Sequence, residues 1–228
     1  MPSKIRLAIL DDHLPIIDGY ISRLNRSPQI EVVGTASSGS EIENFLKKNN
    51  VDVLFLDVEV PTSPDNPAPY PILHLIRQWK EKYPEMAILV MSMFNEASLT
   101  NALMEAGASG YLLKDDIASI KELDTIAIAI ANGEIRLSEK AFQEIHKRQA
   151  KDAVPHLTPR QLEALSIAAA HPEFSRNDLA AEMNIVGSGA RNLLSQAYLR
   201  LGVNTLAAAI AKARQLGLIT PFPFSPLK

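Results

Sequence analysis

A chain of 228 residues with 46% hydrophobic side chains can bury a proper core, and its length fits one large or two modest domains. The absence of cysteine excludes a disulfide framework and a thiolate metal site, which suits the cytoplasm. The formal charge of −3 hides an asymmetry: Lys and Arg number 16 against 22 acidic residues over 1–156, but 7 against 4 over 157–228. An acidic front and a mildly basic back imply two domains with different partners, and the basic excess permits nucleic-acid binding without requiring it.

The start, Met1-Pro2-Ser3-Lys4, meets Asp11-Asp12 after a handful of apolar residues, which predicts neither a signal peptide nor a membrane span. The run from Lys4 to Leu10 reads as a strand, and Leu14 to Leu24 carries apolar residues at helical spacing. A second strand fits Ile30 to Thr35 and a second helix Gly39 to Asn49. Val51 to Asp57, V-D-V-L-F-L-D, reads as a short strand buried on both faces, with a carboxylate at its last position. Strands and helices keep alternating: Ala87 to Ser92, Glu96 to Ala106, Gly110 to Leu113 and Ile117 to Asn132. Five strands and five helices in alternation predict an α/β fold with a doubly wound parallel sheet.

Gly133 to Pro155 lacks a strong apolar period, and Ser138 to Arg148 fits a polar linker helix ending on Lys147-Arg148, followed by a flexible break over Lys151 to Pro155. Thr158-Pro159-Arg160-Gln161 then places an N-cap, a proline at the first helical position and a capping-box Gln. Ser175 to Asp178 repeats the device, and the helix it opens ends at Asn184, a residue that tolerates a left-handed turn. Further helices fit Ser188 to Leu201 and Asn204 to Leu216, giving a compact all-α bundle with a helix-turn-helix. The tail from Pro221 to Pro226 reads as extended and able to cover an apolar patch.

Polar residues stand at several strand ends: Asp11 and Asp12 after the first, Asp57 after the third, Ser92 after the fourth and Lys114 after the fifth. With sheet order 2-1-3-4-5 the first and third strands are neighbours at the topological switch point, where ligands bind. Three carboxylates sharing one pocket raise a pKa or demand a cation, and clustered carboxylates with room for water suit Mg²⁺. Taken singly, each is an ordinary solvated strand-end residue. Their joint placement favours a site.

On the motifs L-D-D-H at 10–13, F-L-D at 55–57, Ser92 and G-A-S-G-Y-L-L-K-D at 107–115, residues 4–133 resemble the flavodoxin-like receiver domain of bacterial response regulators. The resemblance implies that Asp57 is the phosphoryl acceptor and that Asp11, Asp12, Asp57 and the backbone carbonyl of Glu59 hold Mg²⁺. It further implies that Ser92 and Lys114 bind phosphoryl oxygens, and that Tyr111 is the aromatic that changes rotamer. The other reading of Tyr111 is an ordinary half-buried aromatic. The chain departs from the family after Asp57, where the usual short turn is replaced by a segment with five prolines in eleven residues, 61–71. That segment reads as stiff and partly polyproline-like, a rigid connector in preference to a partner-binding loop. Met93 stands where the family has a small residue and would narrow the pocket mouth, and Glu59 would influence dephosphorylation.

Over 156–219, the signatures L-T-P-R-Q-L-E-A-L, L-A-A-E-M-N-I and R-N-L-L-S-Q-A-Y-L-R-L-G-V resemble the LuxR-type DNA-binding domain of NarL and FixJ-like regulators. The resemblance places Arg191, Asn192 and Ser195 toward bases, with Ser188 among the DNA-binding positions. Gly187-Ser188-Gly189, Leu193 and Leu206 depart from the family there, and a helical bundle that docks protein is the competing reading.

Together these resemblances imply a receiver (1–133), a linker (134–155), a DNA-binding domain (156–220) and a tail (221–228). The implied protein is a transcriptional regulator and not an enzyme, phosphorylated by a cognate histidine kinase or a small phosphodonor. It would act as a homodimer paired through the helix Asn204 to Leu216, and the receiver would mask the recognition helix until phosphorylated. The rivals are a degenerate receiver acting independently of phosphorylation, and an aspartyl-phosphate hydrolase using Asp57-Val-Glu59, which lacks the usual second Asp before Gly-Thr.

Overall fold

The computed structural model describes residues 4–149 and 155–220. The tail and most of the break after the linker helix lie outside the described residues. So do the side chains of Lys147 and Arg148.

Strands β1 (Ile5–Leu10), β2 (Ile30–Ala36) and β3 (Val53–Asp57) are joined by helices α1 (Leu14–Leu24) and α2 (Gly39–Leu46). The chain continues through a hairpin, β4 (Pro61–Ser63) and β5 (Asn66–Pro69), then α3 (Ile72–Lys82), β6 (Ala87–Ser92), α4 (Ala97–Ala106) and β7 (Gly110–Leu113). Helices α5 (Ile117–Lys121) and α6 (Leu123–Ala131) follow, so the long helix expected over 117–132 breaks at Glu122. The parallel sheet has the order β2-β1-β3-β6-β7-β8. Its first five members stand in the order 2-1-3-4-5.

A sixth strand corrects the expected five. Strand β8 (Arg136–Leu137) runs parallel to β7, with Arg136 N–H donating to Ser109 O and Ser138 N–H to Tyr111 O. Two residues carry no readable period, which is why the sequence pattern passed over it. Helix α7 (Glu139–Gln149) follows and buries Ala141.

Alternation along the strands sorts their side chains onto two faces. Leu7, Ile9, Val53, Phe55, Leu89 and Met91 pack with α1 and α6, and Tyr20 meets Phe55 edge to face at 6.2 Å. Ala8, Leu10, Leu54, Leu56, Ile88 and Val90 pack with α2, α3 and α4, in a core continuous with that of the C-terminal helices. Burial on both faces is what a parallel strand requires, and it explains the unbroken apolar run in β3.

The proline-rich segment is an antiparallel hairpin, not a polyproline connector. Pro61 pairs with Pro69 and Ser63 with Asn66. Side chains replace ladder bonds that proline cannot supply: Thr62 Oγ1 donates to Ala68 O, and Asn66 Oδ1 accepts from Ala68 N–H. The base of the hairpin is fixed by Tyr70, whose N–H donates to Val60 O and whose hydroxyl donates to Glu43 at 2.6 Å.

The C-terminal helices are α8 (Pro159–Ala170), α9 (Arg176–Glu182), α10 (Gly187–Leu201) and α11 (Leu206–Gln215). Thr158 and Ser175 both form the expected capping boxes. The α9 to α10 turn passes through Asn184 at φ +53°, the left-handed conformation anticipated for it. Helix α11 starts two residues later than expected because Thr205 caps it, accepting from Ala208 N–H.

These helices dock on α3 and α4. Glu163, buried on α8, lies 2.6 Å from His74 Nδ1 of α3 and 3.0 Å from Arg77, while Arg160 of its own helix lies 3.0 Å away. Burial works against its charge, but hydrogen bonds with His74 and Arg160 outweigh it and hold the carboxyl below the ordinary range. At the other contact, Ser98 of α4 donates to the carbonyls of Leu216 and Gly217, both at 3.1 Å. The Leu216 carbonyl is among the orphans that a helix C-terminus leaves, and Gly217 follows it directly. Gly217, at φ +63°, lies flush against Glu96, where a side chain would collide.

Replacing Phe55 with Ala removes the ring at the centre of the sheet. Equilibrium unfolding in urea should show a loss of about 3–5 kcal/mol.

Candidate functional site

The chain leaves β1 at Asp11, β3 at Asp57 and β7 just before Lys114, so all three side chains converge on one rim of the sheet. Lys114 Nζ lies 2.8 Å from Asp11 Oδ2 and 2.7 Å from Asp57 Oδ2. Asp11 and Asp57 are almost wholly buried, while Asp12 reaches solvent. At 2.7 Å, Lys114 is the charged partner of the buried Asp57 Oδ2. One potential ligand atom from each of Asp11, Asp12, His13 and Asp57 lies within 4.8 Å of the others.

His13 is a member that the sequence reading did not single out, although it follows the two aspartates directly. Its Nδ1 lies 2.7 Å from Asp12 Oδ1, and its backbone N–H donates to Asp11 Oδ1.

Electrostatics follow from burial. Loss of water pushes the Asp57 carboxyl up to about 6, with Lys114 pulling against the shift and Asp11 adding to it. Glu59 is raised to about 7 by burial and then by the neighbouring Asp57. Burial disfavours the charge on Lys114, but the carboxylates of Asp57 and Asp11 outweigh it and keep its pKa above the ordinary value. Glu59 N–H donates to Asp57 Oδ1 at 3.3 Å, so the next loop begins tied to the same carboxyl.

Ser92 is fully buried at the end of β6, where its Oγ accepts from Phe94 N–H at 2.9 Å. Tyr111 is buried outright, which excludes the half-buried reading, and its hydroxyl donates to Phe94 O at 2.6 Å. Burial raises its pKa, while hydrogen bonds with Ser92 and Thr100 lower it, which brings the buried Thr100 into the same polar group. Tyr111 therefore already points inward, so the implied rotamer change does not start from an exposed ring. Met93, directly after Ser92, is 58% exposed.

On α10, Ser188, Arg191, Asn192 and Ser195 all face solvent along one side. The docked receiver half leaves this face open, which corrects the expectation that it masks the recognition helix. What docking holds is the C-terminal end of α11, while Ala207, Ala211 and Gln215 of that helix remain exposed. Among the described residues, no helix is long and apolar enough to cross a membrane.

A family model described as the response regulator receiver domain matches residues 7–124. The transcriptional regulatory protein YdfI of Bacillus subtilis is 25% identical over 218 residues, covering 94% of this chain and 98% of that protein. The probable transcriptional regulatory protein NarL of Mycobacterium tuberculosis is 26% identical over 227 residues, covering 96% and 97%. A structure of the RcsB response regulator of Salmonella typhimurium aligns with TM-score 0.63 at 22% identity, over 94% of this chain and 98% of that one. At that identity the structural likeness speaks for the fold.

The raised Asp57 value carries a sign. The neutral form favours the fold, a contribution complete below the ordinary value of 3.8 and lost as pH rises through about 6. In chelator, Asp57→Asn should therefore stabilise the protein at pH 7.5 by about 1–3 kcal/mol and by nearly nothing at pH 4. Thermal unfolding at the two pH values checks this, and an equal gain at both would exclude the electrostatic account.

Proposed function

The chain belongs to the response regulator receiver family, and from that premise we propose that it is a phosphorylation-responsive, DNA-binding regulator of transcription working in the cytoplasm. The observation that carries the reading is Lys114 set between the buried carboxylates of Asp11 and Asp57. Such an arrangement suits an acceptor carboxylate that must meet a dianionic phosphoryl group in a site with little water.

With a pKa of about 6, Asp57 is mostly ionised at neutral pH and nucleophilic there. A carboxylate oxygen attacks phosphorus, and the bond from phosphorus to the donor breaks. Its electron pair leaves on the donor, a histidine kinase imidazole or a small phosphodonor. Lys114 offsets the charge of the transferred group, and the Ser92 hydroxyl donates to one of its oxygens. Asp11, Asp12 and Asp57 supply hard oxygen ligands close together, with the Glu59 backbone carbonyl as a further one, and these fit Mg²⁺. When bound, that ion supplies neutralisation of phosphoryl charge.

The exposed face of α10 supports major-groove reading, with Arg191 and Asn192 as base-contacting residues and Ser188 and Ser195 beside them. A homodimer paired through the exposed side of α11 fits a two-fold DNA site. The domains we assign are a receiver over 1–133, a connecting segment over 134–155 and the DNA-binding unit over 156–220. Within that segment, β8 pairs with β7 and Ala141 of α7 is buried.

Incubation with acetyl phosphate should add one phosphoryl group by intact mass, only when Mg²⁺ is present and not in Asp57→Ala. That variant should also lose phosphodonor-dependent DNA binding. Full retention would remove the scheme and favour a receiver that works without phosphorylation. Separately, Arg191→Ala should weaken DNA binding by about 1–3 kcal/mol in a titration at fixed salt, with relaxed preference at one base position.

A further inference from the structure

The hairpin that replaces the family's short turn joins the acceptor carboxyl to the interface with the DNA-binding half. Asp57 Oδ1 accepts from Glu59 N–H, and Val60 O accepts from Tyr70 N–H at the hairpin base. Tyr70 leads into Pro71, whose carbonyl accepts from His74 N–H in the first turn of α3. His74 then meets Glu163 of α8 at 2.6 Å, with both side chains buried. The hairpin also touches α8 directly, since Pro69 and Tyr70 border a small cavity with Ser166 and Ala169.

The charged and titratable groups facing His74 come from both halves. Glu163 and Glu182 of the other half approach its two ring nitrogens, with the neutral Gln78 amide of its own helix at Nε2, while Arg77 and Arg160 reach the same Glu163 carboxylate from either side. A buried carboxylate such as Glu163 keeps its charge only while those partners hold their places. Small displacements of α3 are therefore felt across the interface.

We propose that the hairpin and the His74–Glu163 pair form a latch that reports the state of Asp57 to α8, opening the docked arrangement when Asp57 is phosphorylated. The proposal rests on the reading of Asp57 as phosphoryl acceptor and adds the route by which this chain uses it. Phosphorylation exchanges the single negative charge of the Asp57 carboxylate for about 1.5 to 2 on a bulkier phosphoryl group beside Glu59, two residues before the hairpin begins. Repulsion and bulk displace Val58 to Val60, the hairpin base follows, and the first turn of α3 draws His74 off Glu163. The route is distinct from the Ser92–Tyr111 group, which reaches the other docking contact through α4 and Ser98. What opens is the contact between α3 and α8, because the exposed face of α10 is already free.

The chain has no cysteine, so two introduced thiols take spin labels uniquely. Lys48→Cys and Ala181→Cys place them at exposed sites on the two halves. Electron-electron distances in the full chain should give one narrow distribution alone and a broad one after acetyl phosphate and Mg²⁺. Replacing residues 62–68 with Asn-Gly should give the broad distribution without donor and no further response, while intact mass still records phosphorylation. His74→Gln and Glu163→Gln, which keep polar side chains, should do the same and carry the test if the shortened chain does not fold. A narrow distribution and a normal donor response in these variants overturn the latch. So does a wild-type chain that gains a phosphoryl group without broadening. A wild-type chain that gains no mass fails one step earlier, at the acceptor reading, and takes the latch with it.

Discussion

The arrangement depends on one ammonium placed between two carboxylates where almost no water remains. Without Lys114, Asp11 and Asp57 would bring like charges to the same buried rim with nothing to offset their repulsion. With it, Asp57 stays ionised near neutral pH, its Oδ2 2.7 Å from the ammonium. This cluster of oxygen ligands suits a cation. It exists only because the parallel sheet brings the ends of β1, β3 and β7 to one edge. The hydrophobic strands hold the charged rim in place.

The two halves of the molecule share a continuous apolar core, yet the polar contacts across it are few and specific. Glu163 is surrounded by cations and an imidazole, and Ser98 satisfies the carbonyls at the end of α11. Apolar packing is non-directional and sets how strongly the halves adhere. The buried carboxylate and the capped helix end set their register. In this docked form Arg191 and Asn192 face solvent, so the contacts between the halves do not cover that side of α10.

The strands, most of the helices and the acidic rim were legible because each rests on a local signal: a run of β-branched and apolar residues, a helical period, or a capping box. Asn184 and the caps at Thr158 and Ser175 were legible for the same reason. Three features were not. Strand β8 is two residues long and too short for any period. The hairpin is written in prolines, which ordinarily argue against strand, and it survives as an isolated pair because Thr62 and Asn66 supply the bonds proline withholds. The break at Glu122 divides an otherwise continuous apolar pattern.

The sequence by itself determined the order of elements, the carboxylates at the strand ends, the lysine that follows β7 and the helix-turn-helix, since these depend on near neighbours along the chain. Tertiary structure alone decided that Lys114 bridges Asp11 and Asp57, that Tyr111 points inward to Phe94, that His74 meets Glu163, and that the recognition face stands open. Each of those pairs residues 17 to 103 positions apart or a whole helical face with its surroundings. Their partners are selected by how the layers pack, a property no local pattern encodes.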